Sequence, residues 1–161
     1  MEEAFDLEAL NAAFRDFVPH NRALGYTIES AVLDPPSLVM VLPWDDRFVG
    51  NPETGVIHGG LITTLLDSVS GASVYVKLKE PVPIATLDLR IDFMKPATPK
   101  RAVRARATCF KTTHNVAFVR AVAFHDDEDE PIAQGTATFM LSTKGKSVTE
   151  ADLYGKKEER P

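Results

Sequence analysis

The segment from Gly59 to Lys79 constrains this chain more than any other. It reads GGLITTLLDSVSGASVYVKLK, with one acid, Asp67, and no other charged residue before Lys77. Twenty-one residues make more than five helical turns. A helix that is apolar on most sides is buried on most sides. Small residues at its middle (Ser70, Gly71, Ala72, Ser73) let another backbone come close, while β-branched Val74 and Val76 weaken its last turn. Burying a lone carboxylate is unfavourable by several kcal/mol unless it is paired, hydrogen-bonded or protonated. Asp67 is therefore either held by neighbouring Thr or Ser hydroxyls or kept for chemistry.

Such a helix needs a cover, and the rest of the chain offers strands. Residues 6–17 place Leu7, Leu10, Phe14 and Phe17 at helical spacing, which predicts a short amphipathic N-terminal helix ended by Pro19. Strand candidates follow at 24–33 and 37–43, separated by the turn Asp34-Pro35-Pro36, and residues 44–55 read as a loop. After Pro81 and Pro83 the period becomes two. In TLDLRIDFM, Leu87, Leu89, Ile91 and Phe93 form a dry face and Thr86, Asp88, Arg90 and Asp92 a wet one. Three more strands are predicted at 101–110, 115–124 and 131–141, joined by links short enough for antiparallel hairpins. The pattern β-β-α-β-β-β-β implies an α+β layer, a sheet of five to six strands curled around the helix at about 59–79. One domain is expected over 1–142, with 143–161 a charged, mobile tail.

Charge and cysteine content narrow the class. A net charge of −5 argues against broad nucleic-acid binding. The single cysteine, Cys109, rules out an internal disulfide framework and fits a reducing, cytoplasmic compartment. The acidic opening MEEAFDLEAL is unlike a secretory signal or transit peptide, and no apolar run approaches the ~20 residues of a membrane span. His20, His58, His114 and His125 are scattered, so no metal site is expected, and neither a GxSxG elbow nor a phosphate-binding loop is present.

Two glycines at the start of a helix, Gly59 and Gly60, leave backbone N–H groups approachable, with the positive end of the helix dipole behind them. That suits a carbonyl oxygen gaining charge during acyl transfer; alternatively, the glycines only permit tight packing. His58 reads as a capping or packing group. Nine residues separate His58 from Asp67. At ~100° and 1.5 Å per residue they face opposite sides, ~13 Å apart along the axis. Either they are unrelated or one site forms between subunits of a symmetric dimer. Between Asp92 and Asp126 the chain has no acid but seven bases: Lys95, Lys100, Arg101, Arg104, Arg106, Lys111 and Arg120. This is either a field for a phosphate-bearing ligand or an outer strand face paired with acids elsewhere. A ligand using both carbonyl chemistry and such a field is an acyl thioester of coenzyme A.

The stretches NPETGVIHGGLITTLLDSVSG, TLDLRIDFMKPA and PIAQGTATFML resemble the PaaI-type acyl-CoA thioesterases of the hotdog superfamily, over about Leu24 to Leu141. The resemblance implies a long helix wrapped by an antiparallel sheet, a homodimer joined through Thr86–Met94, and often a dimer of dimers. It also implies Asp67 as general base or nucleophile and the Gly59 N–H as the group polarising the thioester carbonyl. Asn51, His58 and Thr86 would orient substrate or water, and no cofactor is expected, coenzyme A being part of the substrate. Gly60, Arg101, Lys111, Thr112 and His114 are the candidate substrate contacts. A hotdog hydratase or dehydratase and a non-catalytic acyl-CoA sensor are the competing readings. The acyl group stays open among arylacetyl, medium and long chains.

Overall fold

The computed structural model describes residues 5–80 and 82–142; the tail expected at 143–161 lies outside them. Helix α1 (Leu7–Phe17) begins at Asp6, whose carboxylate accepts from the N–H groups of Glu8 and Ala9, both at 3.0 Å. Pro19 ends α1 as expected but also starts a second helix, α2 (Pro19–Leu24), where a strand had been expected to begin at Leu24. Proline at the first helical position loses no hydrogen bond, and Gly25, at φ 69°, closes the turn in the left-handed region.

Strands β1 (Thr27–Leu33) and β2 (Pro36–Leu42) follow. The segment read as a loop carries a 3-10 turn (Asp46–Phe48) and a small hairpin of β3 (Val49–Asn51) and β4 (Val56–Ile57). Helix α3 spans Gly59–Leu78 and stops at Lys79, whose φ of 56° cannot continue it. Then come β5 (Ile84–Phe93), β6 (Val103–Thr112), β7 (Val116–Phe124) and β8 (Ala133–Leu141).

Six strands form one antiparallel sheet in the order β1-β2-β6-β7-β8-β5, with α3 packed on one face. The fit depends on size. The helix brings Leu65, Leu66, Val69, Val74 and Val76, all essentially without exposure. Beneath them the sheet presents buried alanines (Ala105, Ala107, Ala117, Ala123, Ala133, Ala137), which let the helix approach closely. Each fully buried Leu or Val contributes about 1.5–3 kcal/mol of hydrophobic stabilisation, which offsets the weak intrinsic helicity of the valines.

Two sheet edges meet different fates. At β1, Asn11 of α1 takes the place of a strand. Its side-chain carbonyl accepts from Ile28 N–H at 2.6 Å and its amide donates to Ile28 C=O at 2.9 Å. At β5, the outer backbone edge has no strand partner among the described residues, and Leu87, Phe93 and Met94 are each about half exposed there.

The alternation read along β5 is interrupted. Thr86 pairs with Phe139 but Asp88 pairs with Thr138, so Leu87 is an extra residue in a bulge. Asp88, Arg90 and Asp92 keep the outer face, as expected, opposite Thr138, Thr136 and Gln134. Thr86, expected on that wet face, instead stands opposite buried Phe139, on the side of the helix.

Candidate active site

The bulge determines where the first functional group lies. Thr86, turned inward, donates a 3.0 Å hydrogen bond from its hydroxyl to Asp67 Oδ1. Asp67 is half-buried at the rim of a cleft of about 250 Å³. The cleft is bounded by α1 and α2 on one side, α3 on another, and Ile84, Thr86 and Phe139 of the sheet. Beside Asp67, Ser68 donates to the side-chain carbonyl of buried Asn21 at 3.2 Å, tying α2 to α3. Tyr26 is close enough to sense the carboxylate. Burial raises its phenol well above the ordinary range, and the Asp67 charge adds to that, so it stays a neutral donor to the Leu61 carbonyl.

The second group of residues lies at the start of α3. His58 is its N-cap, with Nδ1 accepting from Gly60 N–H at 2.9 Å. That bond leaves the ring proton of neutral His58 on Nε2, facing away from the helix. Leu61 N–H is taken by the His58 carbonyl at 3.0 Å. Gly59 N–H has no hydrogen-bond partner among the described residues. Of the two glycines, then, Gly59 has the free donor, while Gly60 uses its own in the cap. The hairpin β3–β4 braces this corner: His58 N–H donates to the Phe48 carbonyl at 2.8 Å. Gly50 lies so close that an added Cβ would sit 2.7 Å from the His58 Cα.

Asn51 is exposed at the end of β3, where the chain enters the turn. Its side-chain oxygen accepts from Glu53 N–H at 3.0 Å, leaving the side-chain amide without a partner among the described residues. Within one chain the structure thus joins Asp67 to Thr86, and His58 to Gly59 and Gly60, but does not bring the two groups together.

The basic stretch divides. Lys95 pairs with Glu130, Arg101 with Asp126, Arg104 with Glu29 and Asp126, and Arg106 with Glu128. Arg120 stacks its guanidinium 4.5 Å over the Phe110 ring. For these residues the outer-face reading is the one that holds. Lys100 and Lys111 have no ion-pair partner among the described residues. Arg101 and Lys111 flank opposite ends of β6, roughly 30 Å apart, so one phosphate cannot reach both. Thr112 lies in the same cross-strand row as Ala117, Phe139 and Thr86, so Lys111, Thr112 and His114 share the Thr86 end of the sheet, about 14 Å away. Among the described residues no group of three or more His, Cys, Asp or Glu could hold a metal ion.

Sequence reasoning missed Gly50, Tyr26, Asn21 and Phe93. The Phe93 ring covers Gly59, within 3.6 Å of where a Cβ would stand.

A carboxylate held on one oxygen at an apolar cleft and a free N–H at the positive end of the same helix are groups that acyl-transfer chemistry can use. Comparison with known proteins points the same way. The family model described as the thioesterase superfamily matches residues 54–132. The chain belongs to the thioesterase superfamily. It is a thioesterase with the hotdog fold. It is 28% identical over 148 residues to the medium/long-chain acyl-CoA thioesterase YigI of Escherichia coli K12, covering 84% of this chain and 93% of that one. A protein of Pseudomonas aeruginosa solved by crystallography is 42% identical, covering 83% of this chain and 97% of that one, with a TM-score of 0.74. A putative thioesterase from Ralstonia eutropha, described as phenylacetic acid degradation-related, is 27% identical, covering 82% and 98%, with a TM-score of 0.68.

Proposed function

We propose that the chain hydrolyses acyl-CoA thioesters through a site completed across a homodimer. The observation that carries this reading is the Thr86–Asp67 hydrogen bond at the mouth of the apolar cleft. It holds one carboxylate oxygen and leaves the other to take a proton from water or to attack carbon. The Gly59 N–H of the facing subunit donates to the thioester oxygen as that oxygen gains negative charge, a contact whose loss typically costs about 2.7–4 kcal/mol. His58 Nε2–H and the Asn51 side-chain amide orient substrate or water. The tetrahedral intermediate expels the thiolate of coenzyme A, a good leaving group that needs no strong general acid; where Asp67 itself has attacked, water then hydrolyses the acyl–Asp67 anhydride, and the free acid departs.

The dimer is needed because His58 and Asp67 of one chain lie ~13 Å apart along α3 on opposite sides. Its natural seam is the unpartnered edge of β5, where exposed Leu87, Phe93 and Met94 favour pairing with a second copy.

The decisive experiment measures free thiol released from a panel of acyl- and aryl-CoA thioesters, wild type beside Asp67→Asn. The expected result is turnover by wild type that is lost in a folded variant. Mixing Asp67→Ala with His58→Ala chains is expected to restore part of the activity in heterodimers, since one of their two sites is intact. No thiol release from any thioester would turn the assignment towards hydratase chemistry or non-catalytic acyl-CoA binding.

A further inference from the structure

Beyond Asp67 the cleft runs along α3 in one stripe. Asp67, Gly71 and Tyr75 are spaced four residues apart, so they stand one above another over about 12 Å of helix. At the far end the Tyr75 ring meets Phe14 of α1 edge-on, with centroids 5.8 Å apart and planes at 72°. Phe14 is buried, whereas Phe17, one turn later on α1, is 44% exposed and lines the same cleft. The roof over this stripe is the α1–α2 pair, fixed by Asn21 to Ser68 and by Asn11 to Ile28. Midway, Gly71 supplies width: an added Cβ would stand 3.4 Å from Ile84 Cδ1 and 3.6 Å from the Phe139 ring.

We infer that the α1–α2/α3 cleft receives the acyl chain, with Gly71 as its waist and the Phe14–Tyr75 pair as the floor that limits chain length. This rests on the acyl-CoA hydrolysis proposed above and adds the substrate class. The volume of about 250 Å³, at roughly 30 Å³ for each water-sized group, holds about eight methylenes. That matches a medium acyl chain laid along about two helical turns. The carbonyl then lies beside Asp67 and the tail beneath α1, out of water. No charged side chain other than Asp67 lines the cleft, which excludes an acyl group with a second carboxylate.

Gly71 offers a clean test, because replacing a mid-helix glycine by alanine raises helix propensity while narrowing the waist. The experiment measures kcat/KM for butyryl-, octanoyl- and palmitoyl-CoA with wild type, Gly71→Ala and Gly71→Leu, with thermal melting as the check on folding. Wild type is expected to favour octanoyl-CoA. In Gly71→Leu the octanoyl-to-butyryl ratio is expected to fall about tenfold, the scale of discrimination by a few methylenes in an apolar pocket, with Gly71→Ala between the two. A ratio that falls less than about threefold in both folded variants overturns the assignment of the cleft while leaving the hydrolysis intact. Should wild type release no thiol from any thioester, the proposed hydrolysis fails instead. The cleft is then judged by binding of free octanoate, which Gly71→Leu must weaken by the same criterion.

Discussion

Thr86 Oγ1 and Asp67 Oδ1 are 3.0 Å apart, and that one hydrogen bond links the edge strand β5 to the central helix at the mouth of the cleft. A hydroxyl donating to a carboxylate fixes its rotamer and decides which oxygen is free to act. Hydrogen bonds to charged groups are worth about 1.5–3 kcal/mol, so Thr86→Val is expected to lower kcat by about ten- to a hundredfold. Thr86→Ser, which keeps the donor, should retain most of it. Steady-state kinetics of the two variants checks this; a loss in Thr86→Ser with none in Thr86→Val would mean that the methyl, not the hydroxyl, matters.

Three neighbouring glycines are expected to respond differently to the same change. Gly50→Ala places a Cβ 2.7 Å from the His58 Cα, backbone that cannot step aside. It should destabilise the fold by about 1–3 kcal/mol and impair activity. Gly60→Ala meets His58 Nδ1 at 2.8 Å, the far end of a side chain, and should chiefly displace the cap. Gly59→Ala meets only the Phe93 ring at 3.5 Å, an ordinary contact, and should fold normally. Thermal melting of the three variants reads this order directly.

Asn11 stands in for a strand at the β1 edge, bonding both Ile28 N–H and C=O. Asn11→Leu is expected to cost about 1–3 kcal/mol, because Ile28 loses partners that nothing else in α1 supplies. Hydrogen exchange at the Ile28 amide should rise in the variant, and denaturant unfolding gives the energy.

Cys109 has no exposure, and burial pushes its thiol above the ordinary range. A group whose ionisation is displaced upward stays protonated at pH values where a free thiol already reacts. The native protein is therefore expected to resist a thiol reagent through mildly alkaline pH, and to react with one equivalent in denaturant. Rapid labelling of the native protein would refute this; its absence means that the thiol counted in a thioesterase assay comes from coenzyme A.

The helix, its length and the six main strands were legible because burial leaves a plain pattern. Val74 and Val76 stayed helical since tertiary packing outweighs propensity there. Asp67 stood out in the sequence because apolar surroundings make one carboxylate conspicuous, and the structure places it half-buried at the cleft. What escaped depends on geometry that no short window encodes. Helix α2 is only six residues long, too short to show a period. The neutralisation of Arg101, Arg104 and Arg106 needs acids that are distant in sequence, Glu29 and the run from Asp126 to Glu128. Neither the roof that Phe14, Phe17 and Asn21 make over Asp67 nor the contact of Gly50 with His58 leaves a mark in composition.

The bulged Leu87 is, in effect, a phase slip in a two-letter code. Strand residues alternate between water and helix, and a single extra residue exchanges the two addresses for everything on one side of it. The hydroxyl beside Asp67 is there because the count between Thr86 and Asp88 is odd by one relative to β8. Were the bulge ironed out, with Leu87 opposite Phe139, Thr86, Asp67 and every other site residue would be unchanged in identity, yet that hydroxyl would face solvent.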